Sequence, residues 1–191
     1  MNNVFFTFFK PYFSFIDNGY LYRKPFSWFY SLLAVLNLIL PLGILFIGID
    51  NGVLGSGAKF VMLFLTLWAI IAFASWFGFQ LWWDRRLKVT STSVDGDDFV
   101  ATPVFAHFIQ TVGEWIGTWI AIVGSCTALL TTIFLDDQEF FFLNSMGLDF
   151  LRTGIVFVVL MPIYGFLIIV SSRFLAEQFK SLSVIANNTR K

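Results

Sequence analysis

The 191-residue chain has twelve basic and twelve acidic residues, hence zero net charge, and is 58% hydrophobic with a mean hydropathy of +0.79. Soluble domains keep roughly a quarter of their residues charged; here 13% are, and no run of Lys or Arg exceeds two, which argues against an ordinary soluble domain and leaves no basic footprint for nucleic acid. The single Cys126 rules out an intramolecular disulfide and, alone, makes no metal centre.

Residues 1–24 precede the first uncharged stretch. Phe5, Phe9, Tyr12, Phe13 and Ile16 follow an i, i+4, i+7, i+8, i+11 stripe, broken by Pro11 and ended by Asp17-Asn18-Gly19. That pattern predicts a short amphipathic segment, lying in the membrane interface or packed on the bundle. The segment is aromatic rather than basic and no small-residue cleavage site follows, so a cleavable signal is not expected and Met1 should be retained.

Four stretches then run without an Asp, Glu, Lys or Arg: 25–49, 60–83, 115–135 and 153–172. A helix rises about 1.5 Å per residue, so each can cross a hydrocarbon slab of roughly 30 Å. Charges bound every stretch: Lys24 and Asp50, Lys59 and Asp84, Glu114 and Asp136, Arg152 and Arg173. The sequence thus reads as an all-α membrane protein, a single four-span helical domain over 25–191 with no room for a separate soluble one.

The connectors fill in the outline. Asp50-Asn51-Gly52 through Gly55-Ser56-Gly57 has the glycines of a tight turn, so spans one and two should form an antiparallel hairpin. Thr102-Pro103 reads as an N-cap with proline at the first helical position. The third helix would then begin about 15 Å before its membrane boundary. Leu175, Phe179, Leu182 and Ala186 keep an i, i+4, i+7, i+11 stripe, which predicts that the fourth helix continues past Arg173 as a C-terminal helix over 173–187.

Ten of the twelve basic residues fall on one side of this map: Lys10, Arg23, Lys24, Arg85, Arg86, Lys88, Arg173, Lys180, Arg190 and Lys191. By the positive-inside rule both termini are cytoplasmic, N-in and C-in, with helices three and four extending into the cytoplasm. Trp28, Trp82, Trp83, Trp115 and Trp119 gather at the same boundary, as indoles at a headgroup belt do. Phe140–Phe142 and Phe150 would supply the outer belt.

Few polar residues fall inside the spans. Asn37 sits near mid-depth in the first and is expected to hydrogen-bond a neighbouring helix; Ser125 and Thr127 lie in the third. No span has an acid or base at its middle, which argues against a proton-coupled transporter. Pro41 with Gly43, and Pro162 with Gly165, can bend their helices. Gly113, Gly117, Ala121 and Ser125 recur at four-residue steps, a stripe that lets helix backbones approach closely. Packing within the bundle, against span one or four, is the favoured use of that stripe, and a subunit interface is the alternative.

The principal polar cluster is predicted at the inner boundary. Glu114 and Arg173 fall at matching depth, with Arg85 and Arg86 slightly below, and pairing spares both groups the cost of burial alone. His107, Gln110, Thr111 and Glu114 share one helix face. With no second His and no Cys nearby, the expectation is a structural polar network rather than a metal site. Asp95-Gly96-Asp97-Asp98 lacks the ligand spacing of a calcium loop and reads as a solvated turn. Asp136, Asp137 and Glu139 read as an acidic outer loop rather than a pore mouth. No phosphate loop, zinc-protease, serine-hydrolase or paired-carboxylate motif occurs, so neither enzymatic activity nor a cofactor is expected.

Pro162 through Ser172, then Arg173-Phe174-Leu175-Ala176-Glu177-Gln178-Phe179-Lys180 and Ile185-Ala186-Asn187-Asn188-Thr189, resemble the end of a bacterial membrane-protein domain of unknown function. In that family a span leads into an Arg/Glu-bearing helix that closes near an Asn-Thr. The resemblance covers about a fifth of the chain and implies a bacterial origin, hence the inner membrane, but no chemistry. Taken with the spans, it leaves two functional expectations. The first is a non-catalytic structural or accessory subunit that oligomerises or holds another membrane-protein subunit. The second is a small channel or transporter with its pore between copies, which a polar stripe along a whole helix would favour.

Overall fold

The computed structural model describes residues 9–17, 20–92, 101–135 and 154–189, and every regular element among them is helical. We number the α-helices in chain order: α1 Lys10–Asp17, α2 Tyr20–Asp50, α3 Ala58–Thr90, α4 Ala101–Trp119, α5 Ser125–Phe134 and α6 Val156–Thr189. A π turn, Ile120–Gly124, joins α4 to α5, so residues 101–134 form one rod. With α2, α3 and α6, this rod makes four helices long and apolar enough to cross a membrane.

Helix ends depart from the expectations in ways that local chemistry explains. Pro11 does not break the N-terminal segment; it sits in the first turn of α1, where its missing N–H costs no helical bond. α2 begins at Tyr20 and carries Pro25 inside it, so the division at residue 24 is not a helix boundary. Thr102 lies within α4 rather than capping it, and Pro103 again occupies a first turn. α3 runs to Thr90, seven residues beyond the predicted span. All four long helices therefore extend past the predicted boundary at the basic end, rather than two.

The turn between α2 and α3 uses its glycines as the sequence suggests. Gly52 and Gly57 have φ of 71° and 89°, and a 3₁₀ turn, Val53–Gly55, sits between them. Only glycine takes that left-handed backbone without strain. The Asp95–Asp98 turn, the acidic residues 136–139 and the aromatics Phe140–Phe142 and Phe150 lie outside the described residues.

The helices form two hairpins side by side. α2 packs along α3; α4, the π turn and α5 pack along α6; and α3 joins the hairpins through α4 and α5. α2 touches α4 lightly, and α6 leans on the 101–134 rod alone among the elements it contacts substantially. α6 is accordingly the least buried of the four long helices.

Two apolar clusters hold the arrangement. At the basic end, Tyr30, Ala34, Trp82, Val89 and Val104 are buried, with Phe26, Phe108 and Trp115 packed around them. The Tyr30 and Trp82 rings meet edge to face at 5.0 Å, and Trp82 meets Trp115 the same way at 6.0 Å. At the opposite end, Leu63 and Leu135 pack with Phe60, Leu67, Leu130 and Phe134.

Candidate functional site

Small residues set the α4–α6 crossing. Added Cβ atoms on Gly113 and Gly117 would overlap Ser172 and the Gly165 carbonyl respectively, and one on Gly165 would strike the Gly117 carbonyl. α6 answers the stripe with its own small buried residues, Gly165, Ser172, Ala176 and Ser183. The stripe thus faces α6. Ala121 continues the contact against Gly165, while Ser125 is partly buried and donates to the Ala121 carbonyl.

The π turn explains how a four-residue repeat stays on one side. Four α-helical residues turn about 400°, so each such step drifts by about 40°. A π turn spends an extra residue per turn and brings the face back. Beyond it, Ala128 and Thr131 resume the buried positions.

This close crossing brings the predicted polar residues together. Glu114 is 6% exposed, and both of its carboxylate oxygens are used. Arg173 on α6 donates to Oε1 through Nε at 3.0 Å and Nη2 at 2.8 Å. Gln110, one turn earlier, donates to the same oxygen at 2.9 Å. Arg85 on α3 donates to Oε2 at 3.0 Å. Lys180, two turns beyond Arg173, donates to the Gln110 side-chain oxygen, Oε1, at 3.2 Å. One carboxylate therefore ties three helices, and its two guanidiniums offset the cost of removing it from water.

Arg86 and His107 lie elsewhere. The Arg86 guanidinium stands 3.5 Å over the Trp83 ring, a cation–π contact on α3 itself. His107 turns toward α2, where its Nδ1 lies 2.9 Å from the Tyr30 hydroxyl. Tyr30 also reaches Thr111 Oγ1 at 3.5 Å, and Thr111 donates to the His107 carbonyl at 2.8 Å. The chain is consistent if His107 Nδ1–H donates to the Tyr30 hydroxyl and that hydroxyl donates to Thr111 Oγ1. No spacing rule in the sequence pointed to Tyr30, because its partners are more than seventy residues away.

Asn37 bridges the hairpins. Its amide donates to the Leu33 carbonyl at 2.9 Å, and its oxygen accepts from Trp115 Nε1 at 2.9 Å. Gly78 makes room: a Cβ there would lie 2.5 Å from Asn37 Oδ1 and 2.9 Å from the Trp115 indole nitrogen. One α-helical turn on, Trp68 donates to the carbonyl of Pro41 at 2.8 Å.

Between α4 and α6, on the side away from Glu114, runs an apolar groove of about 830 Å³. Phe105, Ile109 and Ile116 line one wall and Met161, Ile168 and Leu175 the other. Among the described residues, no group of three His, Cys, Asp or Glu side chains is placed to hold a metal ion. The polar network can crosslink helices and fix their depth, but it presents no free carboxylate to a substrate. Comparison with protein-family models, with curated proteins and with solved structures gave no match.

Proposed function

We propose that this chain is a non-catalytic integral protein of the bacterial inner membrane, with both termini cytoplasmic, acting as a structural or accessory subunit in contact with another membrane protein chain. One observation carries the reading: the uncovered apolar face of α6 does not stop where the span ends. Leu175, Phe179 and Leu182, all exposed, continue it beyond Arg173. Lipid can cover such residues above the boundary, whereas below it water would meet them, and exposed apolar patches of that kind mark interaction sites. The ten-to-two split of basic residues supports the orientation, and the likeness of the C-terminal forty residues supports the bacterial membrane.

Two further features fit a scaffold better than a pore. The Glu114 network spends its charges on holding α3, α4 and α6 together. The groove on the side away from it is walled by apolar side chains, with Tyr164 and Ser171 its only exposed hydroxyls. Native mass spectrometry of the particle extracted in mild detergent tests the proposal. Co-purifying subunits at fixed stoichiometry, or a defined homo-oligomer, are expected; a bare 21.8 kDa monomer would count against it.

A further inference from the structure

We propose that the partner is a second copy of this chain, docked face to face along α6, each α6 lying in the groove its partner forms between α4 and α6. This rests on the subunit reading above and names its partner. The docking face carries Tyr164, Ile168, Ser171, Leu175, Phe179 and Leu182 on α6. Their steps of three or four residues average about 3.6, the α-helical period, so the six stay on one straight face. Arg173, Glu177 and Lys180, at i, i+4 and i+7, lie on the opposite side of the helix. Docking therefore buries no charge.

Two features choose a protein occupant over lipid. Tyr164 and Ser171 are exposed on this face within the predicted span, and neither has a hydrogen-bond partner among the described residues. An acyl chain offers no acceptor, and unsatisfied polar groups are costly in hydrocarbon. Leu175, Phe179 and Leu182 then carry the same face past Arg173, out of reach of acyl chains. A second copy answers both. A hydroxyl donates and accepts, so it can pair with its own two-fold mate, and an apolar stripe is complementary to itself.

The area is sufficient. The stretch from Met161 to Leu182 spans about 32 Å of helix, and two helices side by side are roughly 18 Å wide, giving about 600 Å² per copy. Twice that, about 1,200 Å², reaches the lower end of specific interfaces.

Cysteine crosslinking of the full chain in its own membranes tests the docking. In a Cys126→Ser background, Leu182→Cys sits on the proposed face and Glu177→Cys off it; both positions are exposed, so neither change disturbs the fold. Mild oxidation of Leu182→Cys is expected to give a species of twice the 21.8 kDa monomer mass, at least about fivefold more abundant than from Glu177→Cys. Equal yields, or none from Leu182→Cys, overturn the proposal. Crosslinking of Leu182→Cys to a different protein also overturns self-docking but leaves the subunit reading standing. A native particle that is monomeric and bare fails both. Tyr164→Phe is expected to weaken association in diluted lipid vesicles several-fold, and an unchanged dimer fraction overturns the hydroxyl pairing on which the choice of a second copy rests.

Discussion

Glu114 is the residue through which three helices are joined, and its loss strands more than its own bonds. Removing it leaves Arg173 with no carboxylate to pair with among the described residues and Arg85 with only Asp84, 3.9 Å away, in a place where Arg85 is only partly exposed. Breaking one partner of a buried ion network costs about 3–5 kcal/mol, and the half-exposed Arg173 lowers that here. Glu114→Ala is expected to destabilise the protein in detergent by about 2–3 kcal/mol and Arg173→Ala by about 1 kcal/mol. The double variant should lose no more than Glu114→Ala alone, because the two residues share one interaction. Thermal melts of the four proteins in one detergent give the cycle, and strictly additive losses would show that the pair does not act as a unit. Tyr30→Phe removes the hydroxyl between His107 and Thr111 and should cost about 1–3 kcal/mol, the usual penalty of stranding buried polar groups. The Glu114–Arg173 pair was legible in the sequence because both residues end uncharged spans, which fixes their depth. The Tyr30–His107 contact was not. Depth alone says nothing of which face a span turns to its neighbour, and a tyrosine among so many aromatics carries no distinguishing pattern.

At the scale of elements, the α4–α6 crossing depends on the absence of side chains. A Cβ on Gly113 meets the Ser172 side chain, and larger groups reach the α6 backbone. Gly113→Leu is expected to separate the helices and destabilise the protein by about 3 kcal/mol, at the upper end of overpacking costs. Gly43→Ala makes the contrasting case. Nothing lies within 4 Å of a Cβ at Gly43, which sits inside α2, so alanine should raise stability by about 0.5–1 kcal/mol through helix propensity. Melting temperatures of the two variants should therefore move in opposite directions, and a Gly113→Leu protein melting like the parent would show that the crossing is looser than described. The four spans could be read directly, since runs of uncharged residues and bilayer thickness are both counted in residues. The π turn could not. It answers the drift of a four-residue stripe against a specific neighbour, and the sequence Ile120–Gly124 has neither proline nor any other mark of it. The extension of α3 to Thr90 was missed for a related reason: charges mark where a membrane ends, whereas helices end where their hydrogen bonding and capping do.

Across the whole molecule, the two hairpins are tied at the basic end by the Tyr30–Trp82–Trp115 aromatic cluster and by Arg85 reaching Glu114, deeper by Asn37 on Trp115, and at the opposite end by the Leu63–Leu135 cluster. The basic end also carries the extensions of the four long helices, so its ionic and aromatic ties lie where a headgroup layer would meet them. If the orientation follows the basic residues, Ser91 and Ser183 face the cytoplasm and Ser56, in the α2–α3 turn, faces the other side. Single cysteines at these three positions, in a Cys126→Ser background, turn this into a labelling experiment with a membrane-impermeant maleimide. Ser56→Cys is expected to react in intact cells, whereas Ser91→Cys should react only after the membrane is opened. Ser183→Cys should stay slow even then, because that position is buried against α4, and it should respond only when the α4–α6 hairpin is loosened by Gly113→Leu. Labelling of Ser91→Cys in intact cells would invert the orientation. Fast labelling of Ser183→Cys in opened membranes would show instead that α6 leaves α4 once it passes Arg173, and the face assigned to a second copy would then be free to turn.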